Sequence, residues 1–304
     1  MVYNKTMKEH MEQLLTEKPN SNSLNLDQKS ALEIVQLMNE EDKKVALAVE
    51  TQLPNIAKAV DLIVGQLEMK GRVIYFGAGT SGRLGFLDAS ECPPTFSTTD
   101  EFIALIAGGE RAIKSAVEGA EDSEDLIVEE LKALQFSDRD VAVGIAASGR
   151  TPYVVSGLIY AHSLGAKTIA ISCNPDSMIS QYSDVGIDVE VGPEVLTGST
   201  RLKAGTATKM VLNMLSTASM VRMGKVYGNL MVDLNPSNIK LIDRAKRIIM
   251  QATGVNEKTA HQVLYDANLK VKVAIVMIKK KCSATDAILK LEKANGFVHK
   301  AIQK

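Results

Sequence analysis

The sequence predicts an α/β fold: a parallel sheet flanked by helices, with N-terminal helices before it and a small C-terminal helical subdomain after it. Three observations lead there. Between residues 71 and 193 short apolar runs alternate with stretches of helical spacing, the pattern of a parallel sheet covered on both faces. Before residue 71 helical spacing dominates, and after NPSN (235–238) only helical patterns remain. Two of the apolar runs, VIYFGAGTSGR and VAVGIAASGRT, end in small residues followed by Ser-Gly-Arg, one device used twice at strand ends. The expected segments are 1–70, helical and packing on the core; 71–235, the sheet domain; and 236–304, the helical tail.

The elements follow in order. Residues 3–17 read as a short amphipathic helix, broken by the Pro/Asn/Ser cluster KPNSNSLN. Helical spacing resumes in DQKSALEIVQLMNEEDKKVALAVETQL. It continues after Pro54, which marks a helix start or a break, until Gly71. Buried strands are expected at 72–79, 102–109, 140–149, 167–175 and 187–193. Between them, 111–134 and 153–165 have helical spacing, and 202–224 is a long apolar helix, buried or packed on a second subunit. In the tail, Asn256 caps a helix after Gly254, Ser283 with Asp286 forms an acidic capping box, and Gly296 closes the helix before it.

Composition narrows the function classes. The 304 residues carry a formal net charge of −1, which gives no overall electrostatic case for nucleic acid or an anionic membrane. The three cysteines, Cys92, Cys173 and Cys282, are isolated, so no disulfide framework is implied and a reducing cytoplasm is the simplest reading. No two of the four histidines have metal-ligand spacing, so no metal is expected. The N-terminus is too charged for a signal peptide, and no apolar run approaches the ~20 residues needed to span a bilayer.

Residues Gly77 to Gly82 match the dinucleotide fingerprint G-x-G-x-x-G, but the context is wrong for it. A dinucleotide site needs an uninterrupted helix after Gly82 and a following strand ending in an acid. Here Pro93-Pro94 is expected to interrupt, and the next strand ends in Gly108-Gly109. No Gly-Lys-Ser/Thr follows, so a P-loop is excluded. Glycines that let the backbone approach a ligand, hydroxyls from Thr80, Ser81, Ser148 and Thr151, and helix N-termini favour a phosphate monoester. The bland alternative, two tight turns, explains one such loop better than two. Arg83 and Arg150 either neutralise phosphate or brace the loops. Arg201 and Lys203 open the long helix, either as solvated helix-end cations or as a third contact to an anionic sugar.

Glu91, in DASECPP, reads either as a solvated carboxylate at a frayed helix end or as one held in place by the Pro-Pro that follows. Glu121, in VEGAEDSED, reads more simply as part of a solvated acidic helix face. Asp88, Glu110 and Glu118 are further carboxylates that periodicity does not separate from these two.

Taken together, the strings GAGTSGRLGFLDASECPPTF, LIAGGERAIKSAVEGAEDS, VGIAASGRTPYVVSGL, ISCNP, TGSTRLKAGTATKMVLNMLSTASM and GKVYGNLMVDL resemble the N-acetylmuramic acid 6-phosphate etherases of the sugar isomerase (SIS) superfamily, over nearly the whole chain. The resemblance implies a SIS-type, flavodoxin-like three-layer sandwich with a ubiquitin-associated-like tail. It implies a cytoplasmic homodimeric lyase, with no cofactor, no metal, no nucleic-acid partner and no membrane. Such a lyase cleaves the D-lactyl ether of its substrate with water, giving N-acetylglucosamine 6-phosphate and D-lactate, in amino-sugar and peptidoglycan recycling. It further implies that Glu91 donates a proton to lactate and Glu121 removes the C2 proton. The phosphate cradle is implied at Gly79, Thr80, Ser81 and Gly82 with Ser148, Gly149, Arg150 and Thr151, with Lys203 as a further substrate contact. Two rivals share the fold: a sugar-phosphate-sensing regulator without catalysis, and an aldose–ketose isomerase.

Overall fold

The computed structural model describes residues 14–303, which form two compact units: residues 14–89 with Glu101–Leu215, and Ser90–Asp100 with residues 216–303. The N-terminal helices therefore cluster with the sheet, and the expected boundary at 235/236 falls inside the second unit. Most of the helix expected over 3–17 lies outside the described residues; Leu15–Glu17 form a single 3-10 turn.

The first unit is built on five parallel strands, β1 (Val73–Gly77), β2 (Phe102–Ile106), β3 (Val141–Ile145), β4 (Lys167–Ser172) and β5 (Val185–Asp188), in the order β2-β1-β3-β4-β5. Every residue of β1 and β3 is buried, which is why both read as unbroken apolar runs. The register pairs Val73 with Phe102 on one side and with Val141 on the other. The chain leaves β1 for β2 on one side and β3 for β4 on the other, so the β1/β3 boundary is the switch point where a crevice opens at the strands' carboxyl ends.

Helix α1 (Ala31–Glu50) starts at a capping box in which Ser30 accepts from the Glu33 amide and the Glu33 carboxylate accepts from the Ser30 amide. Helix α2 (Leu53–Glu68) has Pro54 in its first turn, where the missing N–H costs nothing, and buries Ile56, Ala59, Ile63 and Leu67. Helix α3 (Gly79–Phe96) follows β1 and contains both Pro93 and Pro94. The expected interruption is thus absent: the two prolines sit in the last turn, where only the carbonyls of Ala89 and Ser90 lose an intrahelical donor. The case against a dinucleotide rests instead on β2, which ends in Ile106 and runs into Ala107-Gly108-Gly109 with no acid at its end.

The helical stretch expected over 111–134 is split. Helix α4 (Glu110–Lys114) ends at an extended Ser115, Ala120–Asp122 make a 3-10 turn after left-handed Gly119 (φ 75°), and Ser123 caps α5 (Glu124–Ala133) by accepting from the Leu126 amide. Helix α6 (Pro152–Ser163) packs with α5 over β1 and β3, burying Ile74, Phe76, Ile127, Leu131, Tyr153, Val154 and Leu158 in one cluster. A short α7 (Met178–Gln181) precedes β5, and α8 (Lys203–Arg222) buries Ala204, Ala207, Val211, Leu212 and Leu215.

The second unit contains a two-residue hairpin, β6 (Val226–Tyr227) and β7 (Leu230–Met231), turning at Gly228 (φ 59°). After the hairpin come α9 (Ile239–Thr253), α10 (Glu257–Asp266), α11 (Val271–Lys280), α12 (Ala284–Lys293) and α13 (Val298–Gln303). They close over a core of Val232, Ala245, Ile249, Leu264, Ala274, Ile275 and Val298. Asn256 caps α10 by accepting from the Thr259 amide, Gly254 (φ 80°) ends α9, and Ser283 accepts from the Asp286 amide while donating its hydroxyl to the Asp286 carboxylate. Gly296 (φ 79°) follows α12 and donates to the Leu291 carbonyl. Among the described residues no helix is long and apolar enough to cross a membrane.

Candidate active site

A cavity of about 250 Å³ opens at the carboxyl ends of β1 and β3. Both Ser-Gly-Arg loops contribute to its wall: Ala78 to Ser81 after β1, and Ala146 to Ser148 with Thr151 after Ile145, the last residue of β3. The first intrahelical bond of α3 runs from the Gly82 amide to the Ala78 carbonyl at 3.2 Å. The amides of Gly79, Thr80 and Ser81 precede it and have no partner within the helix, and these three residues line the cavity. Added to the Thr80 and Ser81 hydroxyls, they place a cluster of donors at the positive end of an 18-residue helix, a setting that favours an anion. The second loop brings the Ser148 and Thr151 hydroxyls, with Thr151 at the N-cap of α6.

The glycines do different work. Gly79 (φ 52°) and Gly149 (φ 74°) hold left-handed turns. A Cβ on Gly82 would lie 2.6 Å from Ile106 and 2.7 Å from the Gly77 carbonyl, so Gly82 lets α3 start close against the sheet. The amides of Gly82 and Gly149 are both spent inside their own turns, on Ala78 and Ala146. Beneath Gly149, the Asp188 carboxylate accepts from the hydroxyls of Ser172, Ser177 and Ser180 at 2.6, 3.0 and 2.7 Å, and the Ile179 amide donates to the Gly149 carbonyl. This network fixes the second loop from below.

Neither loop arginine lines the cavity. Arg83 donates Nε to the Ala112 and Ile113 carbonyls, bracing α4 through its backbone rather than through an acid. Arg150 is half-buried, with its Nε sealed and unpartnered.

The break after Gly119 positions Glu121: the 3-10 turn carries it to the cavity wall, exposed, instead of onto a helix face. Glu91 is exposed on α3, its carbonyl accepting from the Thr95 hydroxyl, and belongs to the second compact unit; it is not among the cavity's lining residues. Asp88 is buried and accepts from the Tyr75 hydroxyl. Lys203 was expected to touch substrate. Its ammonium is instead sealed in the interior, 2.7 Å from the Glu41 carboxylate, and its amide donates to Glu194. The stretch around it reaches the cavity through Thr200, Gly205 and Thr208. Burial opposes ionisation of Glu41, but the ammonium groups of Lys203 and Lys44 and the amides of Asn22 and Asn20 overcome it and hold the carboxyl at about 2. Burial pushes the Glu194 carboxyl up, against the pull of the Ala204 and Lys203 amides.

Sequence reasoning missed Glu17, which also lines the cavity. The pattern places it at the end of the amphipathic helix expected over 3–17. The available signal was its place just before the turn-forming KPNSNS, which redirects the chain. Among the described residues no group of three or more His, Cys, Asp or Glu side chains could hold a metal ion.

The chain is 56% identical over 294 residues to the N-acetylmuramic acid 6-phosphate etherase of Geobacillus sp. (strain WCH70), covering 96% of this chain and all of that one. The chain belongs to the N-acetylmuramic acid 6-phosphate etherase family. The etherase of Bacillus thuringiensis subsp. konkukian (strain 97-27) is 55% identical over 293 residues, again 96% of this chain and all of its own. In this chain, residues 55–162 match the glucokinase regulatory protein N-terminal SIS domain and residues 119–218 match the SIS domain. Among solved structures, the phosphoheptose isomerase of Neisseria gonorrhoeae matches 62% of this chain and 98% of its own, with TM-score 0.49 and 18% identity.

Proposed function

We propose that this protein cleaves the D-lactyl ether of N-acetylmuramic acid 6-phosphate with water, releasing D-lactate and N-acetylglucosamine 6-phosphate. The observation that carries this reading is the 56% identity along the full length of an etherase. It is supported by a cavity at the sheet's switch point that combines free helix-start amides, hydroxyls and the carboxylates of Glu17 and Glu121.

The chemistry uses groups the chain itself supplies. In the open-chain sugar the C2 proton is α to the aldehyde and acidic enough to remove. The ether oxygen at C3 is β to the aldehyde, so the electron pair left at C2 forms the C2–C3 double bond as the C3–O bond breaks. Lactate leaves with a proton from the enzyme, and water then adds back at C3. No electron acceptor enters the balance. Glu121 is the C2 base in this reading, supported by its place on the cavity wall. Glu91 is the proton donor to lactate and later the base for water, supported by the family string DASECPP around it. Each such group contributes ~10²–10⁴ in rate. The amides and hydroxyls of the two loops grip the 6-phosphate, and binding energy from that unreactive end orients C2 and C3.

The same reading makes the protein a cytoplasmic homodimer that takes part in peptidoglycan recycling. The test is direct. Purified protein incubated with N-acetylmuramic acid 6-phosphate, with no added metal or nucleotide, releases stoichiometric D-lactate. Ketose formation without lactate assigns an isomerase instead, and binding without turnover assigns a sensor.

A further inference from the structure

We infer that Glu17 contacts the substrate: its carboxylate accepts hydrogen bonds from the hydroxyls of the sugar and sets the direction in which a sugar phosphate enters. The inference rests on the sugar-phosphate reading of the cavity and adds a residue to it.

The first observation is an unmet carboxylate. In the sheet unit the buried carboxylates Glu41, Asp88, Asp140 and Glu194 all have hydrogen-bond partners. So do the half-buried Glu130 and Asp188. Glu17 is half-buried and faces the cavity, and its carboxylate has no hydrogen-bond or ion-pair partner among the described residues. A carboxylate withdrawn from much of its water without a partner is poorly compensated, and donors arriving with a ligand repair that.

The second observation is that its backbone is pinned. The Leu15 amide donates to Asn174 Oδ1 at 2.8 Å. Asn174 Nδ2 donates to the Thr16 hydroxyl at 3.1 Å and to the Ala147 carbonyl at 3.0 Å. The segment that carries Glu17 is therefore tied through one side chain to the loop that carries Ser148. Thr16 is fully buried, and the Glu17 amide bonds to the Leu14 carbonyl. Left-handed Gly198 (φ 76°) stands beside the carboxylate; a Cβ there would lie 3.3 Å from Glu17 Oε2.

The chemistry decides which end of the ligand Glu17 meets. A phosphate dianion is repelled by a carboxylate and drawn to the amides and hydroxyls of the two loops. A sugar hydroxyl is a donor and suits an acceptor-only group. The donors hold the phosphate, and Glu17 reads the neutral, hydroxyl-bearing part.

The experiment is calorimetric titration of the full chain, of Glu17→Gln and of Glu17→Ala with N-acetylglucosamine 6-phosphate and, separately, with inorganic phosphate. Affinity for the sugar phosphate falls about tenfold in Glu17→Gln and further in Glu17→Ala, while affinity for inorganic phosphate stays within twofold and the melting temperature is unchanged. Sugar-phosphate affinity within twofold of the parent in both variants overturns the inference. So does equal weakening of both ligands, which would make Glu17 a support for the loops. A parent chain that binds the sugar phosphate but releases no lactate from the ether refutes the etherase reading alone, because the titration reads Glu17 without turnover.

Discussion

Lys203 Nζ lies 2.7 Å from Glu41 Oε2, with 2% and 3% of the two side chains exposed, and the pair joins residues 162 positions apart. It ties α1 to the start of α8, the helix whose first turns supply Gly205 and Thr208 to the cavity. The turn before α1 is drawn in as well: Asn20 Nδ2 donates to Glu41 Oε2 and to the Pro193 carbonyl. Glu41→Gln leaves a buried ammonium without its counter-charge. The expected loss is about 3–5 kcal/mol in chemical denaturation, because a broken buried pair costs more than a missing one. Replacing both partners with Glu41→Gln and Lys203→Met recovers part of it; a double variant worse than the single one contradicts this account.

The same pair predicts an acid dependence. The Glu41 carboxyl is depressed from 4.5 to about 2, so its contribution to stability is fully present above pH 4.5 and is lost as the pH falls toward 2. The stability gap between the parent and Glu41→Gln therefore narrows across that window. A gap that holds constant from pH 5 to pH 2 rules the assignment out.

The two left-handed loop glycines are not equivalent. A Cβ on Gly149 would lie 2.3 Å from Ser177 Cβ, over the hydroxyl network on Asp188; a Cβ on Gly79 meets nothing within 4 Å. Gly79→Ala costs only its backbone strain, about 1–2 kcal/mol. Gly149→Ala adds overpacking of about 1–3 kcal/mol and displaces the loop that carries Ser148. Urea midpoints order the variants parent, Gly79→Ala, Gly149→Ala, with the last also losing phosphate affinity. The reverse order would dissociate the Asp188 network from loop support.

Thiol chemistry separates the cysteines. Cys92 and Cys173 are buried and Cys282 is half-buried. Burial, with the charges of Glu194 and Asp188 added, pushes the Cys173 thiol up to about 12. At pH 8 its thiolate fraction is then on the order of 10⁻⁴. An aromatic disulfide reagent titrates one thiol in the native protein and three after denaturation, and Cys282→Ser removes the fast one. Fast labelling in that variant would show Cys173 or Cys92 to be accessible.

The sequence announces what depends on local pattern and conceals what depends on distant partners. β1 and β3 are legible because strands buried on both faces become apolar runs, and their Ser-Gly-Arg endings mark the cavity. β5 is misplaced: it spans Val185–Asp188, whereas the apolar run continues through Val189 and Val191, which are buried beyond the end of the strand. The break that brings Glu121 to the cavity wall is carried by Ser115, Gly119 and Ser123, with no proline to announce it. The hairpin at Gly228-Asn229, between the expected helix over 202–224 and the helical tail, has a readable signal in its glycine turn between two apolar pairs. Lys203 has the right type and place for an anion contact, and only the fold reveals that Glu41 claims it.

Catalytic roles are separated by isotope exchange. With Glu121 as C2 base, Glu121→Gln loses deuterium incorporation at C2 together with lactate release, each by ~10²–10⁴. Glu91→Gln keeps the base but removes the donor, so C2 exchange persists while lactate release falls by a similar factor. Binding of N-acetylglucosamine 6-phosphate survives in both. Ser81→Ala, by contrast, removes a cavity-lining hydroxyl at the free start of α3 and weakens binding with little effect on the exchange step at saturation. Exchange lost in Glu91→Gln and retained in Glu121→Gln would interchange the two roles; near-parental lactate release in either variant removes that glutamate from the mechanism.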